Sequence, residues 1–244
     1  MKNYLLTLMF DGRSFHGWQV QKNAVTVQQC VQDGVQRILG VRENIIGCSR
    51  TDSGVHANMF CCNIRTEKNI NLTSFRRSLN AVLPDSIAVT DITEVPYEFH
   101  ARYNCKRKEY EHLLFNADYM NPFYVGRALY YPYSLDEKLI NDNSKDFIGT
   151  HDFSAFCASG SSVEDKVRSV FSASFEKNGE LASFKICADG FLYNMVRIIV
   201  GTLLDINSGK LPSGSVPEII NSLDRSRAGF TADGCGLYLN KVIY

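Results

Sequence analysis

Residues 44–64 read NIIGCSRTDSGVHANMFCCNI. The polar loop SRTDSG lies here between two runs whose residue types favour strands. Asp52 is in this loop, and Arg50 precedes it by two positions. Such a loop is a frequent position for a working carboxylate, because the flanking strands hold it rigidly. The alternative interpretation is a turn aspartate whose side chain accepts hydrogen bonds from nearby backbone N–H groups.

The sequence on both sides of this loop has the pattern of an α+β unit. Alternation over residues 3–10 predicts a strand, and apolar residues at helical spacing over 26–39 predict a helix. A second amphipathic helix over 72–82 and a β-branched strand over 87–95 follow. Together with the two strands of 44–64, these elements have the order of a split βαβ, ferredoxin-like unit.

The rest of the chain repeats this order more loosely. We therefore predict an α+β fold of two ferredoxin-like halves, residues 1–100 and 101–244, with abutting antiparallel sheets and helices on the outer faces. The elements predicted for the second half are a strand over 109–116, a helix over 135–148, a hairpin of strands 168–177 and 180–188 with its turn at 178–179, helices over 191–206 and 217–223, and a strand over 237–244.

Composition sets limits on the class of protein. The chain has 244 residues, 45% of them hydrophobic and 21% charged, which is typical of a folded globular protein. No apolar run reaches the roughly 18 residues of a membrane span, so we expect no membrane association. Residues 1–3 lead directly into a strand-like segment without the pattern of a signal peptide, and we expect a cytoplasmic protein.

The eight cysteines predict no metal site. They are scattered and form no C-x-x-C pair, whereas zinc sites need closely spaced ligand pairs. Cys61 and Cys62 are adjacent in a predicted strand, so their side chains point to opposite faces of the sheet. Free thiols, mostly buried, are the expectation.

Six blocks of the sequence, in one order along the chain, resemble a known family. The nine residues SRTDSGVHA at 49–57 closely resemble the catalytic-aspartate motif GRTDAGVHA of the TruA-type tRNA pseudouridine synthases, with Ser49 and Ser53 as the differing positions. The other matching blocks are FDG at 10–12 with FHGWQVQ at 15–21, FHAR at 99–102 with KEY at 108–110, GTHDF at 149–153, FLYNMVR at 191–197 with GTL at 201–203, and RAG at 227–229 with GLYL at 236–239.

The resemblance implies an isomerase that converts uridine to pseudouridine in tRNA. Because the reaction is an isomerisation, it needs no cofactor in principle. The resemblance assigns the catalytic carboxylate to Asp52, and it assigns to Arg197 the basic partner that keeps this carboxylate charged. Tyr110 is implied to stack on the flipped uracil, and Leu237 to complete the apolar floor of the pocket. Arg50 is a candidate for bracing the flipped nucleotide or its phosphate.

Each of these residues also has a purely structural interpretation. Arg197 interrupts an apolar helical face, as an arginine at a helix edge does when its stem is buried and its head reaches water. Tyr110 shares one strand face with His112 and Leu114 and fits a sheet core equally well. Arg50 fits a loop salt bridge. For His56 we favour a loop-closing histidine bonded to backbone over a general base. Trp18 and Gln19 are interpreted as packing residues of the first sheet rather than as site residues.

The partners implied by the resemblance are tRNA, through the anticodon stem-loop at positions 38–40, and a second copy of the chain in a homodimer. The net charge of zero neither requires nor excludes RNA binding. Basic groups at 76–77, at 102–108, and at positions 166, 168, 225 and 227 are candidates for phosphate contacts, although a charge run is often only a solvated face.

One departure from the family pattern is expected to affect the choice of substrate and to leave the catalytic reaction unchanged. The family tail reads T-A-P-x-x-G-L, and here residues 231–237 read TADGCGL, without proline. We expect a looser loop, because proline fixes φ, and repulsion between Asp233 and phosphate. Two alternatives follow, a paralogue acting on another RNA site and an RNA-binding module without turnover. A metal-dependent nuclease ranks last, because it would need clustered acidic or histidine ligands.

Overall fold

The computed structural model describes residues 1–244, which divide into two compact units. Unit 1 comprises Met1–Lys106 and Tyr238–Tyr244, and unit 2 comprises Arg107–Leu237. The α+β class predicted from the sequence is confirmed, with ten strands and five α-helices. The division into folding domains at residue 100 stays a prediction. None of the helices has both the length and the apolar character that crossing a membrane requires.

Unit 1 is a sheet with two helices. Its strand order is β4-β1-β3-β10, and β2 pairs with β3 as well. The elements are β1 (Lys2–Phe10), α1 (Val27–Leu39), β2 (Ile45–Gly47), β3 (His56–Thr66), α2 (Leu72–Val82), β4 (Ile87–Val95) and β10 (Leu237–Ile243, from Tyr238 onward).

Local sequence explains where the helices of unit 1 begin and end. The Thr26 hydroxyl caps α1 by accepting from the backbone N–H of Gln29, and Gly40 closes that helix with a φ of 74°. The Asn71 side chain caps α2 by accepting from Ser74 N–H, and α2 ends before Leu83, which precedes a proline. Both helices therefore have the predicted extent.

The long strand β3 organises the sheet of unit 1. It pairs antiparallel with β1 along its whole length. On its other edge it pairs antiparallel with β2 near Ile64 and parallel with β10 at His56 and Ala57. This parallel pairing departs from the predicted antiparallel sheet, and it explains why the last strand belongs to unit 1.

Unit 2 is a sheet of strand order β5-β9-β8-β7, with β6 parallel to β5. Most of the α4 side chains are buried, as expected for a helix that is apolar nearly all round. The elements are β5 (Arg107–Phe115), β6 (Leu129–Tyr130), α3 (Glu137–Ser144), β7 (Gly149–Asp152), β8 (Val167–Asn178), β9 (Leu181–Ala188), α4 (Met195–Asn207) and α5 (Val216–Ser222).

Two predictions for this half were wrong in detail, and two short strands were missed. Helix α4 begins at Met195 rather than at residue 191, because Asn194 adopts the left-handed conformation with a φ of 59° and stops the helix from extending backward. Helix α3 is shorter than 135–148, and a 3-10 turn at Lys145–Phe147 follows it. The short strands β6 and β7 were not predicted.

Candidate active site

Asp52 lies in the loop that joins β2 to β3 in unit 1 and is partly exposed. The loop closes as a tight turn, in which the N–H of Val55 donates to the carbonyl of Asp52 at 3.2 Å. Gly54 supplies a φ of 76° within this turn, a conformation that glycine adopts without strain. The TDSGV sequence thus presents the aspartate on a short, sharply bent segment.

The segment 12–18, which follows β1, holds this loop in place. The Trp18 N–H donates to the Thr51 carbonyl at 3.1 Å, and the Phe15 carbonyl accepts from the Gly54 N–H at 3.3 Å. At Gly17, a Cβ atom would overlap the carbonyl oxygen of Thr51. The FHGWQVQ block therefore supports the aspartate loop through backbone contact. Its tryptophan packs as predicted.

The Trp18 ring is buried and stacks on Phe60 of β3 at 4.1 Å between ring centroids. Its indole also lies against Gly47 at the end of β2, where a Cβ atom would come 2.5 Å from the indole nitrogen. Gln19, which we had also interpreted as a packing residue, is exposed. The packing interpretation is therefore confirmed for Trp18 and wrong for Gln19.

His56 begins β3 and is buried. Its Nδ1 accepts from the N–H of Gly12 at 3.0 Å, and its ring stacks on Tyr238 at 4.5 Å. The Asp11 carboxylate lies 3.4 Å from the same nitrogen, but Nδ1 already accepts the Gly12 proton. Burial opposes ionisation of Asp11, yet hydrogen bonds from Arg13 lower its pKa to about 2. The prediction of a loop-closing histidine bonded to backbone is confirmed.

Arg50 is exposed, and its side chain makes no hydrogen bond or ion pair. The structure therefore contradicts the loop salt bridge that we considered for it. Its guanidinium group is available to solvent beside the Asp52 loop. The bracing of a flipped nucleotide stays a prediction.

Tyr110 lies on β5 of unit 2 and is buried. The Phe191 ring meets it edge to face, with the centroids 4.9 Å apart. His112 and Leu114, two and four residues further along β5, are buried as well, so the predicted common face is confirmed. This edge-to-face contact fixes the plane of the tyrosine ring.

Arg197 is in the first turn of α4, and two hydrogen bonds hold its guanidinium group. Its Nε donates to the carbonyl of Ala232 at 2.6 Å, and its Nη1 donates to Oδ1 of Asn194 at 2.8 Å. The backbone carbonyl of Arg197 accepts from Ala232 N–H at 3.0 Å, so the contact with residue 232 is reciprocal. An arginine carries five N–H donors, and these contacts use two of them.

His112 holds the next carbonyl of the same tail. Its Nε2 lies 3.0 Å from the carbonyl oxygen of Asp233, which makes Nε2 the donor and Nδ1 the unprotonated nitrogen. Nδ1 is buried without a hydrogen-bond partner. Burial, with a contribution from the Arg197 charge, lowers the pKa of His112 to about 4. The imidazole is therefore neutral at pH 7.

The tail between Thr231 and Leu237 is tied down at several points, contrary to the expectation of a loose loop. The Asp233 carboxylate accepts from Cys235 N–H at 2.8 Å and caps a 3-10 turn at Gly234–Gly236. Its φ is −62°, close to the value that proline imposes. Asp233 thus gives the conformation that the family's proline would give, and the hydrogen bond to Cys235 lowers its pKa.

Leu237 follows this turn and is buried. Within unit 2, the segment 232–237 is thereby fixed both to α4, through Arg197, and to β5, through His112. We call this arrangement the tail clamp; it consists of Arg197, His112 and segment 232–237. Of the predicted site residues, unit 1 carries Arg50 and Asp52, and unit 2 carries Tyr110, Arg197 and Leu237.

Sequence reasoning missed the partners that complete this clamp. His112 had been noted only as a neighbour of Tyr110, because nothing in the sequence connects it to a carbonyl 121 positions later. Asn194 had a better signal, since asparagine tolerates the left-handed conformation. Arg225, predicted as a phosphate contact, donates instead to the carbonyls of Ala228 and Gly229 and to the Thr231 hydroxyl.

The eight cysteines are all free thiols, and five of them are buried. Burial raises the pKa of Cys61 to about 11, which keeps that thiol protonated. No group of three or more histidine, cysteine, aspartate or glutamate side chains is arranged to hold a metal ion. The absence of a cofactor from the reaction stays a prediction.

Comparison with known proteins identifies the class of protein. The family described as tRNA pseudouridine synthase matches residues 7–104 and 144–244. The chain belongs to this family, and the resemblance seen in its motifs is confirmed. The matched ranges include the Asp52 loop and the Arg197 helix.

Individual relatives match over the full length of both chains. The chain is 44% identical over 244 residues to tRNA pseudouridine synthase A of Thermoanaerobacter sp. (strain X514), with 100% of each chain covered. It is 43% identical to the protein of that name from Acetivibrio thermocellus and 41% identical to that from Clostridium acetobutylicum, again with full coverage. A chain in the crystal structure of a Cbf5-Nop10-Gar1 complex aligns with 96% of this chain and 57% of its own length, with a TM-score of 0.37 and 12% identity, too low to support a conclusion.

Proposed function

We propose that the chain isomerises uridine to pseudouridine in the anticodon stem-loop of tRNA, at positions 38–40, with Asp52 as the catalytic carboxylate. The observation that carries this proposal is the full-length match to the tRNA pseudouridine synthases. Asp52 is assigned by the resemblance of residues 49–57 to the family's catalytic-aspartate motif. As a member of that family, the chain is an isomerase that acts on uridine in tRNA.

The reaction exchanges one bond of the nucleotide for another. The bond between the anomeric carbon of the ribose and a ring nitrogen of uracil breaks, and a bond from the same sugar carbon to a ring carbon forms. The proton displaced from that ring carbon is balanced by one gained at the ring nitrogen, so nothing is oxidised. A carboxylate promotes this exchange either by attacking the nucleotide or by abstracting a proton, and aspartate is ionised at neutral pH.

The structure around Asp52 supports such a role. Backbone hydrogen bonds from Trp18 and to Phe15 hold both sides of the loop, and Gly17 allows a contact too close for any other residue. A carboxylate fixed in this way loses little entropy when it meets the reacting atoms. Partial exposure leaves the side chain accessible to a nucleotide.

The other site residues receive roles that fit their surroundings in each unit. The resemblance assigns Arg197 to the charge balance of the catalytic carboxylate; within unit 2, two hydrogen bonds orient its guanidinium group and leave three donors. For Tyr110, whose buried ring is oriented by Phe191, the resemblance implies stacking on the extruded uracil. Leu237 supplies an apolar contact, and Arg50 a cation for a phosphate.

The experiment is pseudouridine mapping on a complete tRNA set, under single turnover, with wild type, Asp52→Asn and Ser53→Ala. We expect modification at positions 38–40 by wild type, and a loss on the order of 10³-fold or more in Asp52→Asn. Ser53→Ala is the matched control, because it restores the family residue at the neighbouring position and removes only a 3.4 Å contact to the Phe15 carbonyl. It should keep full activity.

The outcomes separate the candidate functions. Pseudouridine at other positions in RNA would support the assigned reaction and contradict the assignment of positions 38–40 as the substrate. Full activity in Asp52→Asn would contradict the catalytic assignment. Bound tRNA without product from any variant would favour the RNA-binding module that lacks turnover.

We also propose that the chain acts in the cytoplasm and as a homodimer. Membership of a family of tRNA-modifying enzymes supports the location. The dimer is implied by the family resemblance, and unit 2 has several large apolar side chains in solvent that a second copy could cover, at Tyr119, Met120, Phe123, Val125 and Tyr133. Light scattering across a range of protein concentrations tests it, and a constant mass of 27.5 kDa would contradict it.

A further inference from the structure

Five planar side chains of unit 1, away from the Asp52 loop, make cation–π and stacking contacts with one another. The guanidinium carbon of Arg65 lies 5.0 Å from the Tyr97 ring centroid, and that of Arg102 lies 5.9 Å from the Tyr103 centroid. His100 stacks on Tyr103 with centroids 4.2 Å apart, and Nη2 of Arg65 donates to the carbonyl of the residue before His100, Phe99, at 3.3 Å. Burial, together with the charges of both arginines, lowers the pKa of His100. We call these five residues the arginine–aromatic row.

Three of the five side chains are exposed to an extent that folding does not explain, whereas Arg65 and His100 are partly buried. Tyr103 is 78% exposed and Tyr97 is 48% exposed. Arg102 is exposed and makes no ion pair. Large aromatic rings that stay in solvent contribute little to a core, so their packing role is small.

The loop that carries the row is nevertheless rigidly built. The Nδ1 of His100 accepts from the N–H groups of Arg102 and Tyr103, each at 3.2 Å. The His100 N–H donates to Oδ1 of Asn104 at 2.8 Å. The buried side chain of Asn3 donates to three carbonyls of the same loop, at residues 96, 97 and 99. Exposed rings on a fixed backbone can bind a ligand without a large ordering cost.

The charge of the row selects the kind of ligand. Segment 96–106 carries Arg102 and Lys106 against a single acid, Glu98, and Arg65 adds a further positive charge. Alternating aromatic rings and cations favour a ligand that has both flat faces and negative charge. Unstacked nucleotides fit this description, with bases stacking on aromatic rings and phosphates meeting arginines.

The position of the row separates it from the candidate active site. Arg65 is near the end of β3, and His56, beside the Asp52 loop, begins the same strand. Nine residues at about 3.3 Å each place the two ends about 30 Å apart. A ligand at the row is therefore not the nucleotide that reacts at Asp52.

We propose that the arginine–aromatic row is a second RNA-binding surface, which binds unstacked nucleotides of the tRNA at a distance from the modified uridine. The inference rests on the proposed function for the identity of the RNA. Tyr103 stacks on a base, and Arg102 pairs with a phosphate. The row holds the body of the tRNA while Asp52 acts on one uridine.

The test compares binding of full-length unmodified tRNA with binding of a hairpin that contains the anticodon arm alone, by fluorescence anisotropy at several salt concentrations. We expect Tyr103→Ala to weaken full-length tRNA binding by about ten-fold or more, with an unchanged salt dependence. Arg102→Gln should lower the salt slope by about 1, because one phosphate contact is lost. Neither variant should change binding of the hairpin, which is too short to reach the row.

Arg37→Gln is the matched control for Arg102→Gln, since Arg37 is an exposed arginine of unit 1 that makes no ion pair and lies over no aromatic ring; it should bind full-length tRNA as wild type does. Unchanged affinity of Tyr103→Ala and Arg102→Gln for full-length tRNA would overturn the proposal, as would an equal loss with the hairpin. Binding does not depend on turnover. The two proposals can therefore fail separately. If the variants lose tRNA affinity while wild type makes no pseudouridine, the proposed function is contradicted and RNA binding by the arginine–aromatic row is supported.

Discussion

At the scale of single residues, the tail clamp shows how a buried neutral histidine serves structure. His112 donates through Nε2 to the Asp233 carbonyl, and a second proton on Nδ1 would have no acceptor. The charged groups nearest to it are Arg197, which opposes protonation, and the Asp233 carboxylate, which favours it weakly; the neighbouring Cys235 thiol is neutral, because burial raises its pKa to about 12. Protonation therefore competes with folding.

We predict an acid-sensitive loss of stability that depends on His112. Its pKa is about 4 when folded against 6.5 as the ordinary value, so the unfolded chain binds the additional proton between these values and stability falls as the pH drops below 6.5. From pH 7.5 to pH 5 this contributes about 2 kcal/mol. Urea unfolding at both pH values measures it.

The matched variant for this measurement is His112→Gln, which keeps a donor toward the Asp233 carbonyl and cannot titrate. We expect its stability to fall less than that of wild type between pH 7.5 and pH 5, by roughly the contribution of the histidine. Equal losses in the two proteins would contradict the prediction. His112→Leu should be less stable than His112→Gln at both pH values, by about 1–3 kcal/mol, because the buried carbonyl loses its donor.

The burial of single residues could be predicted where the alternation along one strand was enough to assign them to a face. The alternation of β5 placed Tyr110, His112 and Leu114 on one buried face, and the structure confirms it. The hydrogen-bond partners of His112 and Arg197 were not predictable, because each meets a tail segment more than 30 positions away in sequence. Such contacts are decided by tertiary packing, on which local periodicity carries no information.

At the scale of elements, the β2–β3 loop depends on a second segment for its shape. Gly17 has a φ of 82°, and its Cα packs against the Thr51 carbonyl. Gly40, at the end of α1, has a similar φ of 74° but open space around it. The two glycines share a backbone conformation and differ in their contacts.

We predict that Gly17→Ala and Gly40→Ala cost similar backbone strain, but that only Gly17→Ala lowers activity. Each alanine costs about 1–2 kcal/mol for its left-handed conformation. Gly17→Ala must also displace the Thr51 carbonyl, and with it the Asp52 loop, so kcat for pseudouridine formation should fall at least ten-fold while Gly40→Ala keeps it. Single-turnover rates and thermal unfolding of both variants check this. Equal kcat values would show that the 12–18 segment does not position the loop.

Elements were predicted well where the signal was local. Thr26, Asn71 and the proline after Leu83 fixed the limits of α1 and α2. The start of α4 was misplaced by four residues, because the residues before it are as apolar as the helix itself and only the φ of Asn194 distinguishes them. The parallel pairing of β10 with β3 could not be predicted, because the two segments are distant in sequence and no turn motif connects them.

At the scale of the whole molecule, strand β10 joins the sheet of unit 1 that contains β1 and β3. Leu239 and Val242 of β10 are buried in unit 1, and Tyr238 stacks on His56. Tyr244 adds a hydrogen bond to the carbonyl of Ala101 at 2.9 Å. The end of the chain therefore contributes to the same unit as the Asp52 loop.

We predict that a chain ending at Leu237 is less stable by several kcal/mol, since two aliphatic side chains of about 1.5–3 kcal/mol each leave the core. Thermal unfolding followed by circular dichroism measures the loss. A chain that lacks only Tyr244 is the control, because it keeps β10 and loses one hydrogen bond and one ring contact. If the chain ending at Leu237 had the same midpoint of thermal unfolding as wild type, a structural role of β10 would be contradicted.

The placement of β10 has a consequence for how the protein is made. A ribosome releases the first 106 residues of unit 1 before any of unit 2, yet the strand that pairs with the start of β3 comes last. At about 5–20 residues per second, some 130 residues of unit 2 delay this pairing by roughly 7–26 seconds. During that interval the edge of β3 next to His56 lacks its partner on the nascent chain, and β10 can pair there only after unit 2 has been synthesised.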